Sequence, residues 1–119
     1  MQTNERDKFK ICPKFVKTFG ILGRKWNGLI IEVLIKEGPQ RFKDFSMKVN
    51  KCSGWVLVER LRELEDEKII ERVPLKTCHN IYQLPPKGKD MQKIMKAVHQ
   101  WSDKWCTLND RKKDAWRKR

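Results

Sequence analysis

Ser53-Gly-Trp-Val-Leu-Val-Glu-Arg-Leu-Arg-Glu-Leu-Glu-Asp-Glu-Lys68, followed at once by Ile69-Ile-Glu-Arg-Val73, is the stretch on which the reading of this chain turns. Ser53 suits a helix N-cap, because its hydroxyl accepts from the free backbone amides of the next turn. Leu57, Leu61 and Leu64 recur at i, i+4 and i+7, a narrow apolar stripe along one side of a helix. Gly54, Trp55, Val58, Glu59 and Arg62 fall on the opposite side. The isoleucine- and valine-rich run that follows reads as a strand. A capped helix, a brief polar turn and a strand open a wing. Taken alone, the same pattern better describes a surface helix packed on a core, so the flanking sequence has to raise the functional reading.

Upstream, Phe42, Phe45 and Val49 mark a short helix with Arg41, Lys43 and Lys48 facing outward, and Asn50-Lys51-Cys52 is a tight connection into Ser53. A helix, a short turn and a capped second helix is the sequence picture of a helix-turn-helix. Before it, Trp26, Leu29, Ile30, Val33 and Leu34 predict a central helix from about Lys25 to Lys36, stopped by Glu37-Gly38-Pro39. Cys12-Pro13 opens the first helix, since proline suits the first helical position. Val16, Phe19 and Leu22 form its core stripe and Gly23 ends it. Downstream, Ile69–Val73 and Asn80–Leu84 are strand candidates on either side of the turn Pro74 to His79, and Pro85-Pro86-Lys87-Gly88 breaks the second strand. From Lys89 the period is helical again, through Met91, Ile94, Met95, Val98, Trp101 and Trp105. This last helix carries more apolar surface than a 119-residue monomer readily covers, which assigns it to a dimer interface; the alternative is that it closes the core. The expected fold class is α+β, mainly α: a winged helix-turn-helix with a two-stranded wing and a C-terminal dimerisation helix. It occupies residues 12–106, with an N-terminal arm at 1–11 and a basic tail at 107–119.

The charge pattern narrows the partner. Lys+Arg total 28 against 15 Asp+Glu, a net +13, and so strong a positive field on one small domain favours a polyanion. No apolar run approaches the roughly 20 residues that span a bilayer. The first ten residues mix both charge signs and lack a signal peptide's apolar core. The expectation is a cytoplasmic protein with no membrane partner. Cys12, Cys52, Cys78 and Cys106 form no CxxC pair, which argues against structural zinc and for free thiols in a reducing compartment. His79 and His99 are the only histidines, with His99 assigned to packing. The chain has no glycine-rich phosphate loop, Ser-His-acid set or metal spacing, so neither catalysis, nor a cofactor, nor a metal is expected.

With these elements in order, the chain resembles the HxlR-type winged-helix transcriptional regulators, relatives of the MarR group. The segments that carry the resemblance are Cys12-Pro13, Gly23-Arg-Lys-Trp26, Glu37-Gly-Pro39 with Arg41-Phe42, Arg60-Leu-Arg-Glu-Leu-Glu65, Ile70-Glu-Arg72, Tyr82-Gln-Leu84 and Gly88, spread over roughly residues 11–105. The departures are a shorter wing turn, Cys52 where the family is usually aliphatic, Pro85 where it tends to threonine or serine, and the added basic tail. The resemblance implies a homodimer on duplex DNA, dimerised through its first and last helices, with one recognition helix per subunit in successive major grooves. It also implies, for some members, sensing of electrophiles, quinones or oxidants through the cysteine equivalent to Cys12.

On this reading the base edges face Ser53, Gly54, Trp55, Val58 and Glu59, a set poor in the usual hydrogen-bonding readers. Two readings are open for Trp55: contact with a thymine methyl or sugar, or burial in the core. Arg62 is assigned to phosphate, as are Arg41, Lys43 and Lys51 at the helix ends; Arg72, Lys76 and His79 in the wing are assigned to phosphate or the minor groove. Arg60, on the leucine side, is structural. Cys12 sits at the positive end of the first helix with Lys8, Lys10 and Lys14 nearby, surroundings that favour the thiolate that oxidants and electrophiles attack. A disulfide from Cys52 to the partner's Cys12 would reorient the reading heads, while Cys78 and Cys106 are incidental. The expected function is a dimeric repressor on a palindromic operator, controlled by oxidation or alkylation of Cys12 by a small effector. The alternative is an architectural, non-specific DNA-binding winged helix without an effector. A protein-interaction module is the third reading, disfavoured by the charge.

Overall fold

The computed structural model describes residues 10–76 and 79–107. The N-terminal arm up to residue 9, Lys8 included, Cys78 in the wing turn and the basic tail from residue 108 lie outside the described residues. The elements run α1 (Pro13–Leu22), α2 (Asn27–Glu37), α3 (Phe42–Lys48), α4 (Gly54–Asp66), β1 (Glu71–Pro74), β2 (Asn80–Gln83), α5 (Pro86–Asp90) and α6 (Gln92–Trp105). Mainly helical with a two-stranded antiparallel sheet, this is the winged helix-turn-helix expected from the sequence.

The core lies between α2, α3 and α4. Ile30, Ile31 and Leu34 meet Phe45 and Val49, the leucine stripe Leu57, Leu61 and Leu64, and then Ile69, Ile70 and Met91. The stripe is buried as its spacing requires, and Ser53 caps α4 by accepting from the Val56 N–H at 3.2 Å. Ile69 and Ile70 turn inward, so β1 begins only at Glu71. It pairs with β2 from Glu71 opposite Gln83 to Pro74 opposite Asn80. Pro74 ends the strand, where the lack of an N–H breaks no ladder. The sheet is tied to the helices by a bridge that the sequence reading missed: Gln40 donates its N–H to the Tyr82 carbonyl at 2.9 Å and accepts from the Tyr82 N–H at 2.7 Å.

Several expectations need correction. Helix α1 has no buried residue; Phe19, placed in a core stripe with Val16, is 59% exposed. Only Ile21 and Leu22, at the end of α1, pack against the core. Helix α2 starts at Asn27 rather than near Lys25, because Trp26 is its N-cap in the left-handed region, φ 82°. Leu29 of α2 is exposed rather than packed. The helical segment after the wing is two helices. Pro86 starts α5, Met91 forms a buried joint, and α6 runs on without a buried residue. His99 on α6 is exposed, and its ring nitrogen meets the Glu32 carboxylate of α2 instead of packing. Among the described residues no helix is long and apolar enough to cross a membrane.

Candidate nucleic-acid interface

Helix α4 divides cleanly by side. Leu57, Leu61 and Leu64 are buried, while Ser53, Gly54, Trp55, Val58, Glu59 and Arg62 are all exposed. Trp55 is 76% exposed, which overturns its core reading, and Val58 is 41% exposed. A Cβ built on Gly54 would meet nothing within 4 Å, so the helix start is open to an approaching surface. In α3, Asp44 fixes the first turn by accepting the Arg41 N–H at 2.9 Å, leaving the Arg41 and Lys43 side chains exposed. Lys51 is exposed in the turn that leads to Ser53. Lys48 is engaged instead, with Gln40 Oε1 at 2.7 Å and Glu37 at 3.2 Å. In the wing, Lys76 and His79 are exposed, and Arg72 Nε lies 3.2 Å from Glu65 of α4, which pins the base of the wing to the recognition helix.

The back of α4 is held by residues that carry no hydrophobic signal. Arg60 Nε donates to the Lys25 carbonyl at 3.1 Å, the structural role expected of it. Buried Asn27 donates from Nδ2 to the Ile21 carbonyl at 2.9 Å and to Glu63 Oε1 at 3.2 Å; Arg24 meets the other Glu63 oxygen at 3.4 Å. These bonds fix the turn between α1 and α2, and with it the left-handed Trp26, onto the recognition helix. An asparagine within an apolar helical window was the one sequence signal available for this junction.

The thiols differ sharply. Cys12 is exposed at the N-cap of α1, its carbonyl accepting the Val16 N–H at 3.1 Å. Cys52 is buried, with Sγ 3.5 Å from the Ser53 carbonyl oxygen. Burial pushes its thiol up from the ordinary value, against the pull of Arg60 and Lys25. Cys52 is thus a core residue and unsuited to reach a partner's Cys12. Cys106 is exposed at the end of α6. Phe15, Val16 and Phe19 on α1 and Ile94, Val98, Trp101 and Trp105 on α6 are exposed apolar residues, Trp101 at 61%. Among the described residues no cluster of side chains could hold a metal ion.

Comparison with known proteins agrees with this geometry. A family model described as HxlR-like helix-turn-helix matches residues 21–110. The HTH-type transcriptional regulator YodB of Bacillus subtilis (strain 168) is 40% identical over 102 residues, 84% of this chain and 90% of YodB. The structure of YodB in its reduced form superposes with a TM-score of 0.75 at 39% identity, covering 85% of this chain and 100% of that one. Quinone-bound YodB superposes with a TM-score of 0.72 at 41% identity, covering 80% of this chain and 100% of that one.

Proposed function

The chain belongs to the HxlR-like helix-turn-helix family and is a DNA-binding transcriptional regulator; from that premise we propose that it acts in the cytoplasm as a homodimeric repressor, without catalysis of its own, on a palindromic operator. The observation that carries the reading is the two-sided helix α4, its leucines buried and its other side wholly exposed beside free-standing basic residues. The apolar residues exposed on α1 and α6 supply the dimer contact. Two copies of α4 then enter successive major grooves about 34 Å apart. Arg41, Lys43, Lys51 and Arg62 neutralise phosphates, while Lys76, His79 and the remaining donors of Arg72 follow the backbone or minor groove from the wing.

Cys12 is the sensing thiol in this proposal. It is exposed, stands at a helix N-terminus, and lies on the helix that carries part of the dimer face. That a similar protein exists in reduced and quinone-bound forms supports an oxidant or quinone as the class of effector. The test is binding to the upstream region of the protein's own gene, with random duplex as control, before and after quinone or diamide treatment. Wild type and Cys12→Ser are compared. Specific binding that treatment abolishes only in wild type is expected. Specific binding indifferent to treatment would remove Cys12 from the mechanism, and equal binding to both duplexes would favour an architectural role.

A further inference from the structure

The start of the recognition helix offers the major groove almost nothing that forms hydrogen bonds. The Ser53 hydroxyl accepts the Val56 N–H as the helix cap. Gly54 has no side chain, and the space around it is open. The next outward residues are Trp55 and Val58, both exposed and one turn apart on the same side. Charged groups come only further along, at Glu59 and Arg62. Among the groups that the base pairs present in the major groove, one is apolar, the C5 methyl of thymine.

We infer that Trp55 and Val58 read thymine methyls, so that the operator is specified by thymines at the recognition-helix positions rather than by hydrogen bonds to guanine or adenine. This rests on the DNA-reading role of α4 and names what that face selects. A large apolar side chain left in water on a capped, rigid helix gains only when it meets an apolar group, and a bare Gly54 lets the helix start come close enough for it to do so. The indole N–H is the one donor that Trp55 carries, which makes the tryptophan's two chemistries separable by substitution.

Sites are first selected from random duplexes with the full-length protein, then rebuilt with deoxyuridine, which lacks only the methyl, at each thymine in turn. Selected sites are expected to hold thymine at fixed positions. Removing one contacted methyl is expected to weaken wild-type binding about fourfold, the value of one buried carbon group. Trp55→Phe should keep the discrimination and Trp55→Ser combined with Val58→Ser should erase it, with unchanged thermal midpoints because both residues are exposed. Equal wild-type affinity for thymine and uracil sites would overturn the inference. So would discrimination that survives in the Trp55→Ser, Val58→Ser double variant, which would trace it to DNA shape, or loss of discrimination in Trp55→Phe, which would trace it to the indole N–H. If selection enriches no site over random duplex, sequence-specific reading by α4 fails as well, an outcome distinct from binding that is specific yet blind to the methyl.

Discussion

Gly88 sits where a side chain has no room: a Cβ there would lie 2.0 Å from the Ile69 carbonyl oxygen and 2.9 Å from Leu84. The first turn of α5 presses directly on the chain entering the wing. Gly88→Ala is expected to destabilise the fold by about 2 kcal/mol, since the obstruction is backbone and overpacking of this kind costs 1–3 kcal/mol; a denaturant midpoint with unchanged slope would record it. Cys52 makes a second residue-scale prediction. Burial raises its thiol above the ordinary 9.0, so the folded state holds the proton more tightly than the unfolded chain does. Its contribution is complete below the unfolded value and is lost as pH rises through the folded one. Stability should therefore decline above about pH 9 in wild type and less steeply in Cys52→Ala, measured by unfolding at pH 7 and pH 10. Individual residues differed greatly in how far the sequence revealed them. Ser53 and the three leucines were legible because capping and helical spacing are local. Trp26 at φ 82° and buried Asn27 were not, since their conformations are imposed by Arg60 and Glu63, more than thirty positions away.

Helix α4 is stabilised from both ends and from behind. Ser53→Ala removes the cap and is expected to lower stability by about 1 kcal/mol. Arg72–Glu65 and the Glu63 junction then determine how the helix sits relative to the wing and α1. Replacing Glu63 by Ala would leave the buried Asn27 Nδ2 with only the Ile21 carbonyl. The expected loss is about 1–3 kcal/mol, and DNA affinity should fall although Glu63 lies on the side turned from the groove. A binding titration beside a melting curve checks both effects. The helix-turn-helix and the wing were readable because each is short and punctuated by Gly, Pro and a capping serine. What the periodicity could not show is which surface covers an apolar face. The stripe on α1 was assigned to this chain's own core, yet only Leu22 at its end packs there; Val16 and Phe19 lie exposed, as does the face of α6.

At the scale of the molecule, those two uncovered faces and the net charge of +13 set the behaviour to be measured. Phe19→Glu combined with Trp101→Glu is expected to yield monomers by sedimentation and to weaken binding to a palindromic site about 100-fold, the loss of a linked second contact. Lys43→Ala should reduce affinity for all duplexes alike and flatten the slope of log affinity against log salt by about 0.9 per subunit. Composition made the polyanionic partner legible; the identity of the bases did not follow from it, because +13 attracts any duplex equally. The exposure of Trp55 also gives the molecule an optical property. Of its five tryptophans, Trp26 is half-buried beside Lys25, Trp101 and Trp105 lie on α6, and Trp116 falls outside the described residues. Trp55 alone stands on the outward side of the recognition helix. Its emission should begin red-shifted in water and change when duplex displaces that water. On the proposed reading the protein contains its own fluorescent probe of operator occupancy, one that Trp55→Phe would silence, while Trp101 and Trp105 would report on assembly.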